Sequence, residues 1–81
     1  MIHRERKTVS AGIKLLDVVA LTVDLPAEGL ARGQVGTVVE ELAPGVYEVE
    51  FSDIATGHTY AMLPLEVGQL LLLRYAPLKA A

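Results

Sequence analysis

The sequence predicts an all-β domain, a small five-stranded barrel, and three observations carry that prediction. Val46–Ser52 alternates cleanly, with Tyr47, Val49 and Phe51 on one side and Val46, Glu48, Glu50 and Ser52 on the other. A period of two is the mark of a half-buried strand. Short β-branched or aliphatic runs recur before and after it, separated by Gly, Pro and Asp, which is strand and turn punctuation. The competing helical period, Ile13, Leu16, Val19 and Ala20, falls on a segment dense in Val and Thr, residues that favour a pleated surface.

The elements follow in order. Val18–Val23 is the first strand, apolar on both faces and so covered on both sides. Asp24–Gly33 holds Pro26, Gly29 and Gly33 and is too long for a tight turn. It reads as an excursion loop with Leu25 or Leu30 tucked beneath it. Val35–Glu41 and Val46–Ser52 form a hairpin about an Ala43-Pro44-Gly45 turn. Asp53–Gly57 is the next turn, where Asp53 can accept from nearby backbone N–H groups and Gly57 can take a positive φ. His58–Leu63 is a fourth strand, ended by Pro64 because proline cannot donate to a ladder. Leu65–Gly68 suits one turn of 3₁₀ helix, and Leu70–Leu73 is the last strand.

Those connections match an SH3-like barrel, with a long loop after the first strand and a 3₁₀ turn before the last. A five-stranded barrel of OB type needs a helix between strands three and four, and Asp53–Gly57 leaves no room for one. The expected organisation is a flexible basic N-terminal tail over 1–12, the barrel over 13–75 and a C-terminal tail over 76–81. At 81 residues there is space for one core, in a size range where only about 60–65% of the unfolded surface is buried. The core is aliphatic, since the chain has one Phe, three Tyr and no Trp.

Composition excludes several chemistries. With no cysteine there is no disulfide, thiolate nucleophile or cysteine metal ligand. No apolar run approaches the roughly 18–20 residues of a membrane-spanning helix, and the charged start leads into no signal-peptide apolar block. A soluble cytoplasmic protein is expected. Residues 1–14 carry four cations against Glu5, a net of +3, while residues 15–81 carry three against nine acids, a net of −6. An acidic body is a poor match for nucleic acid.

Gly33-Gln34-Val35-Gly36-Thr37-Val38-Val39 followed by Tyr47–Phe51 resembles the glycine–valine pattern of KOW-type small barrels. The span Leu15–Leu73 resembles, more specifically, an uncharacterised bacterial family known only as a domain of unknown function. Leu16–Leu21, Leu25-Pro26 with Gly29-Leu30, Gly33–Val38, Tyr47–Phe51, Thr59–Ala61 and Gln69-Leu70 carry the likeness. The resemblance implies an SH3-like fold and supplies no activity. Basic residues commonly flank the glycines of RNA-binding KOW members, whereas here only Arg32 is near, against Glu28, Glu40 and Glu41. Gly36 is read as structural, allowing a bulge or a close strand crossing.

No catalytic constellation is legible. His3 and His58 have no partners at metal-ligand spacing, and alternating glutamates on a hairpin are the ordinary solvated face of a sheet. The serines have no base nearby in sequence. Neither a cofactor nor a small-molecule substrate is expected, and the chain reads as a non-enzyme that binds a protein partner or a second copy of itself. Candidate contact residues are Leu25, Leu30, Val38, Tyr60 and Met62, the last three assigned to faces opposite the core. The alternative, a nucleic-acid binder, would use Arg32 and Arg74.

Overall fold

Five strands form where the sequence carries short β-branched runs, in a computed structural model that describes residues 12–75. They are β1 (Val18–Leu21), β2 (Val35–Ala43), β3 (Val46–Ser52), β4 (Thr59–Glu66) and β5 (Leu70–Leu72), with 3₁₀ turns at Pro26–Glu28 and Val67–Gln69. All neighbouring strands are antiparallel and form one sheet in the order β4-β3-β2-β1-β5. No described ladder joins β4 to β5. The expected closure is therefore corrected: the sheet is open, with β4 and β5 as its edges. Of the two expected tails, residues 1–11 and 76–81 lie outside the described residues.

Several element boundaries differ from the sequence reading by a few residues, and three of them are informative. β1 stops at Leu21, although Thr22 N–H still donates to the Gln69 carbonyl at 2.9 Å and its hydroxyl to the Gly68 carbonyl at 3.0 Å. β4 does not stop at Pro64 but runs through it to Glu66. Pro64 stands opposite Glu48 on an edge strand, where a missing N–H costs no ladder bond if it faces outward. The hairpin turn has two residues, because Ala43 pairs with Val46. Pro44 at its first central position and Gly45 with φ +79° at its second give the type II pattern.

β2 is longer than β3 because it carries two bulges. The register steps from Val38↔Val49 to Glu40↔Glu48, and from Glu41↔Tyr47 to Ala43↔Val46. Val39 and Leu42 are the inserted residues, and each shifts the side-chain phase by one.

The core lies on one face of this sheet. Val19, Leu21, Leu30, Val38, Tyr47, Val49, Phe51, Leu65 and Leu70 are buried there, with Ile13, Leu25, Ala61, Leu63, Val67 and Leu72 packed against them. Burying each larger side chain is worth roughly 1.5–3 kcal/mol. Gly36 sits over this layer: a Cβ there would meet Val49 Cγ1 at 2.7 Å, the Glu50 carbonyl at 2.9 Å and Phe51 Cδ2 at 3.0 Å. Close approach of two backbones is thus the reason for glycine; the bulge lies elsewhere, at Val39. The Asp24–Gly33 loop folds under as expected. Leu25 and Leu30 exchange backbone bonds of 2.9 and 3.1 Å, and Leu30 is buried. Among the described residues no helix is long and apolar enough to cross a membrane.

Candidate binding face

The opposite, outer face is set by the same registers. Along one row Met62 faces Glu50, Glu50 faces Thr37 and Thr37 faces Val18. A second row runs from Val35 through Ala20 to Leu71. A third joins Pro64, Glu48 and Glu40. Because the inward positions of β3 are taken by Tyr47, Val49 and Phe51, everything in these rows points away from the core. Val35 is 46% exposed, Tyr60 50%, Met62 50% and Leu71 56%. Single exposed apolar residues are ordinary; several on one face of so small a sheet form a patch.

Tyr60 lies at the register step between Phe51↔Ala61 and Ser52↔Thr59, and that extra residue fixes where its ring points. Its hydroxyl accepts from Gln34 Nε2 at 3.1 Å, while Gln34 Oε1 accepts from the Ala31 N–H at 2.6 Å. The ring lies 6.4 Å from that of Phe51, tilted by 40°. Gln34 therefore ties the end of the long loop to β4 across the intervening strand.

Beside this aromatic the β3–β4 turn makes one wall of an open concavity of about 920 Å³, bordered by Val35, Thr37, Glu50, Asp53, Ile54 and Tyr60. The turn is built on Asp53, whose Oδ1 accepts from the Ala55 and Thr56 N–H groups at 2.8 and 3.2 Å. Its backbone closes through Gly57 N–H to the Asp53 carbonyl at 2.7 Å. Ile54, at the tip of this turn, is fully exposed. Glu50 accepts a hydrogen bond from the Thr59 hydroxyl, which holds its carboxylate toward the β4 side of the face.

The sequence-predicted contact residues divide. Tyr60 and Met62 lie on the exposed face. Val38 and Leu30 do not: both are buried in the core, so neither offers a free contact surface, while Leu25 is half-buried and packed against it. The length of the hairpin turn decides the side of Val38. A three-residue Ala43-Pro44-Gly45 turn would pair Val38 with Glu50, on the outer face. The actual two-residue turn with no bulge would pair it with Phe51, and with both bulges it pairs with Val49; either partner puts Val38 inside. Val35, Leu71 and Gln34 were missed. Counting registers back from a two-residue turn puts Val35 opposite Ile54 without bulges and opposite Ser52 with both, on the outer side in either case.

Arg32 and Arg74 are both exposed, but the fold does not bring them together. Gly33 N–H bonds the Leu21 carbonyl at one end of β1, and Leu73 N–H bonds the Val18 carbonyl at the other. The two arginines are thus separated by the length of that strand, about 10 Å at 3.3 Å per residue. Arg32 is also beside Asp24, whose Oδ1 accepts its backbone N–H at 2.8 Å. Among the described residues no group of three or more His, Asp or Glu side chains is arranged to hold a metal ion. Tyr47, which faces Glu41 across the hairpin, has its phenol pushed upward by burial first and by the Glu41 carboxylate second.

Residues 15–72 match the model of a family described as a domain of unknown function, DUF4926. The chain belongs to this family. The match begins within the turn that leads into β1 and ends with β5, so it takes in the whole sheet and the long loop. No curated protein and no solved structure matches the chain.

Proposed function

We propose that this DUF4926 chain is a non-enzymatic module of SH3-like type that works by binding another protein through the outer face of its sheet. The SH3-like reading is supported by the strand order β4-β3-β2-β1-β5, by the long loop between β1 and β2 and by the 3₁₀ turn that leads into β5. The observation that carries the binding reading is the contrast between the two faces. One face is filled by the core; the other presents Val35, Tyr60, Met62 and Leu71 half-exposed, with Val35 and Tyr60 bordering a concavity. Aromatic and methionine side chains are enriched at the centres of protein interfaces, and an exposed apolar patch rimmed by polar groups is their ordinary signature.

Affinity capture of the tagged protein from lysate of its own cells, with and without nuclease treatment, tests this reading. A stoichiometric protein partner that the Tyr60→Ser, Met62→Ser variant fails to recover is the expected result. Recovery only of RNA-dependent material, lost on nuclease treatment, would overturn it in favour of a nucleic-acid binder.

A further inference from the structure

The strands β2 to β5 that build most of the apolar outer face carry charge of one sign only. Between Gly33 and Leu73 the chain carries Glu40, Glu41, Glu48, Glu50, Asp53 and Glu66 and not a single Lys or Arg. Four of these line the same face as the apolar patch: Glu40 and Glu48 stand directly opposite each other across β2 and β3, Glu50 is one outward position further along, and Glu66 faces Val46. Like charges at directly opposed positions of an antiparallel pair are unfavourable. The chain places two such residues beside a third and supplies no cation from the same strands. Local conflicts of this kind, which no cation of the described strands compensates, are characteristic of functional surfaces.

The geometry points to a protein partner that presents a cationic, apolar-flanked peptide segment to this face. Its aliphatic side chains lie on Val35, Tyr60, Met62 and Leu71, and its lysines or arginines meet Glu40, Glu48 and Glu50. This rests on the binding-module reading and deepens it by naming the partner's chemistry. Charge complementarity selects this occupant over the others that could cover an apolar face. A second copy related by a two-fold axis would bring the same carboxylates against one another, while nucleic acid and anionic lipid carry the sign already present. Arginine serves this role well, because its planar fork matches a carboxylate bidentately and its face stacks on an aromatic ring such as that of Tyr60.

The test uses the full chain and three blocked nonapeptides: one alternating Lys and Leu, one alternating Glu and Leu, and one alternating Lys and Ser. Binding is followed by titration calorimetry at low and at physiological salt. The Lys–Leu peptide is expected to bind, more weakly as salt rises, with the Glu–Leu peptide silent and the Lys–Ser peptide weaker. The double variant Glu48→Gln, Glu50→Gln is expected to weaken binding by about tenfold or more, a loss of the size seen for paired interface charges. Glu28→Gln with Asp24→Asn changes net charge equally on the long loop between β1 and β2, away from the carboxylates of the face, and is expected to stay within about twofold, as distant exposed charges are screened. Circular dichroism melts confirm that each variant is folded. Equal loss in both double variants, or equal binding of the Glu–Leu peptide, would overturn the proposal by showing that net charge or greasiness alone is at work. If a partner is captured through Tyr60 and Met62 while no cationic peptide binds, the partner's chemistry is refuted and the module reading stands.

Discussion

Gly36→Ala is the substitution whose cost the structure fixes most closely. The new methyl carbon would sit 2.7 Å from Val49 Cγ1, 2.9 Å from the Glu50 carbonyl oxygen and 3.0 Å from Phe51 Cδ2. Ordinary van der Waals contact is about 3.5–4.0 Å, so the local deficit approaches an ångström. Neither obvious relief is open. Val49 and Phe51 are wholly buried, and Glu50 is held by pairing with Thr37 on one side and Met62 on the other. The expected destabilisation is that of an overpacked core, about 1–3 kcal/mol, or a fall in melting temperature of about 4–8 °C per kcal/mol for a domain of this size. Urea unfolding followed by far-ultraviolet circular dichroism reads it directly. Gly68→Ala is the control, since nothing lies within 4 Å of its added methyl and its φ is not positive. It is expected to change stability by no more than about 0.5–1 kcal/mol. Were Gly36→Ala as stable as wild type, the close approach of β2 to β3 would be wrong.

Other outcomes follow from single features. Phe51→Ala should cost about 3–5 kcal/mol, while Ile54→Ala at the exposed tip of the β3–β4 turn should stay within about 0.5 kcal/mol, both by urea titration. Leu16 holds φ at +72° at the third position of a turn closed by Asp17 N–H to the Lys14 carbonyl at 3.0 Å. Leu16→Gly should therefore relieve about 1 kcal/mol of left-handed strain, seen as a raised melting temperature. The raised phenol pKa of Tyr47 means that the unfolded chain gives up that proton more readily than the folded one. Its contribution is intact below the ordinary tyrosine pKa of about 10 and is lost as pH rises through the folded value. The alkaline loss of stability should be shallower in Tyr47→Phe, measured as urea midpoints on either side of that pH. Pro64→Val should leave the fold intact but add an N–H to the β4 edge, giving more self-association by sedimentation.

Much of the fold was legible because β3 states its own phase. Its alternation put Tyr47, Val49 and Phe51 inside, and the long loop, the hairpin and the 3₁₀ turn all exist near their expected places. β2 was harder. Val35–Val39 is apolar on both faces, so periodicity gives it no direction. Its side depends on the turn: one residue more there would reverse the strand and send Val38 to the surface, where it had been expected. The two bulges at Val39 and Leu42 left no signal in composition. Pro64 misled for a different reason: the rule that proline ends strands holds for central ones, and nothing in the residues declares which strand will be at the edge. The binding face was half visible, through Tyr60 and Met62. Val35 and Leu71 join it only through Ala20, their common neighbour on β1, and that adjacency exists only once the sheet is assembled.

The measurement that bears most directly on the account is a backbone amide chemical-shift map of the domain, free and with its captured partner added. Shifts concentrated at Val35–Thr37, Glu48–Ser52, Tyr60–Met62 and Leu71 are predicted. Shifts confined to the Asp24–Gly33 loop, or to Arg32 and Arg74 at the two ends of β1, would contradict the assignment of the outer face as the surface through which this protein works.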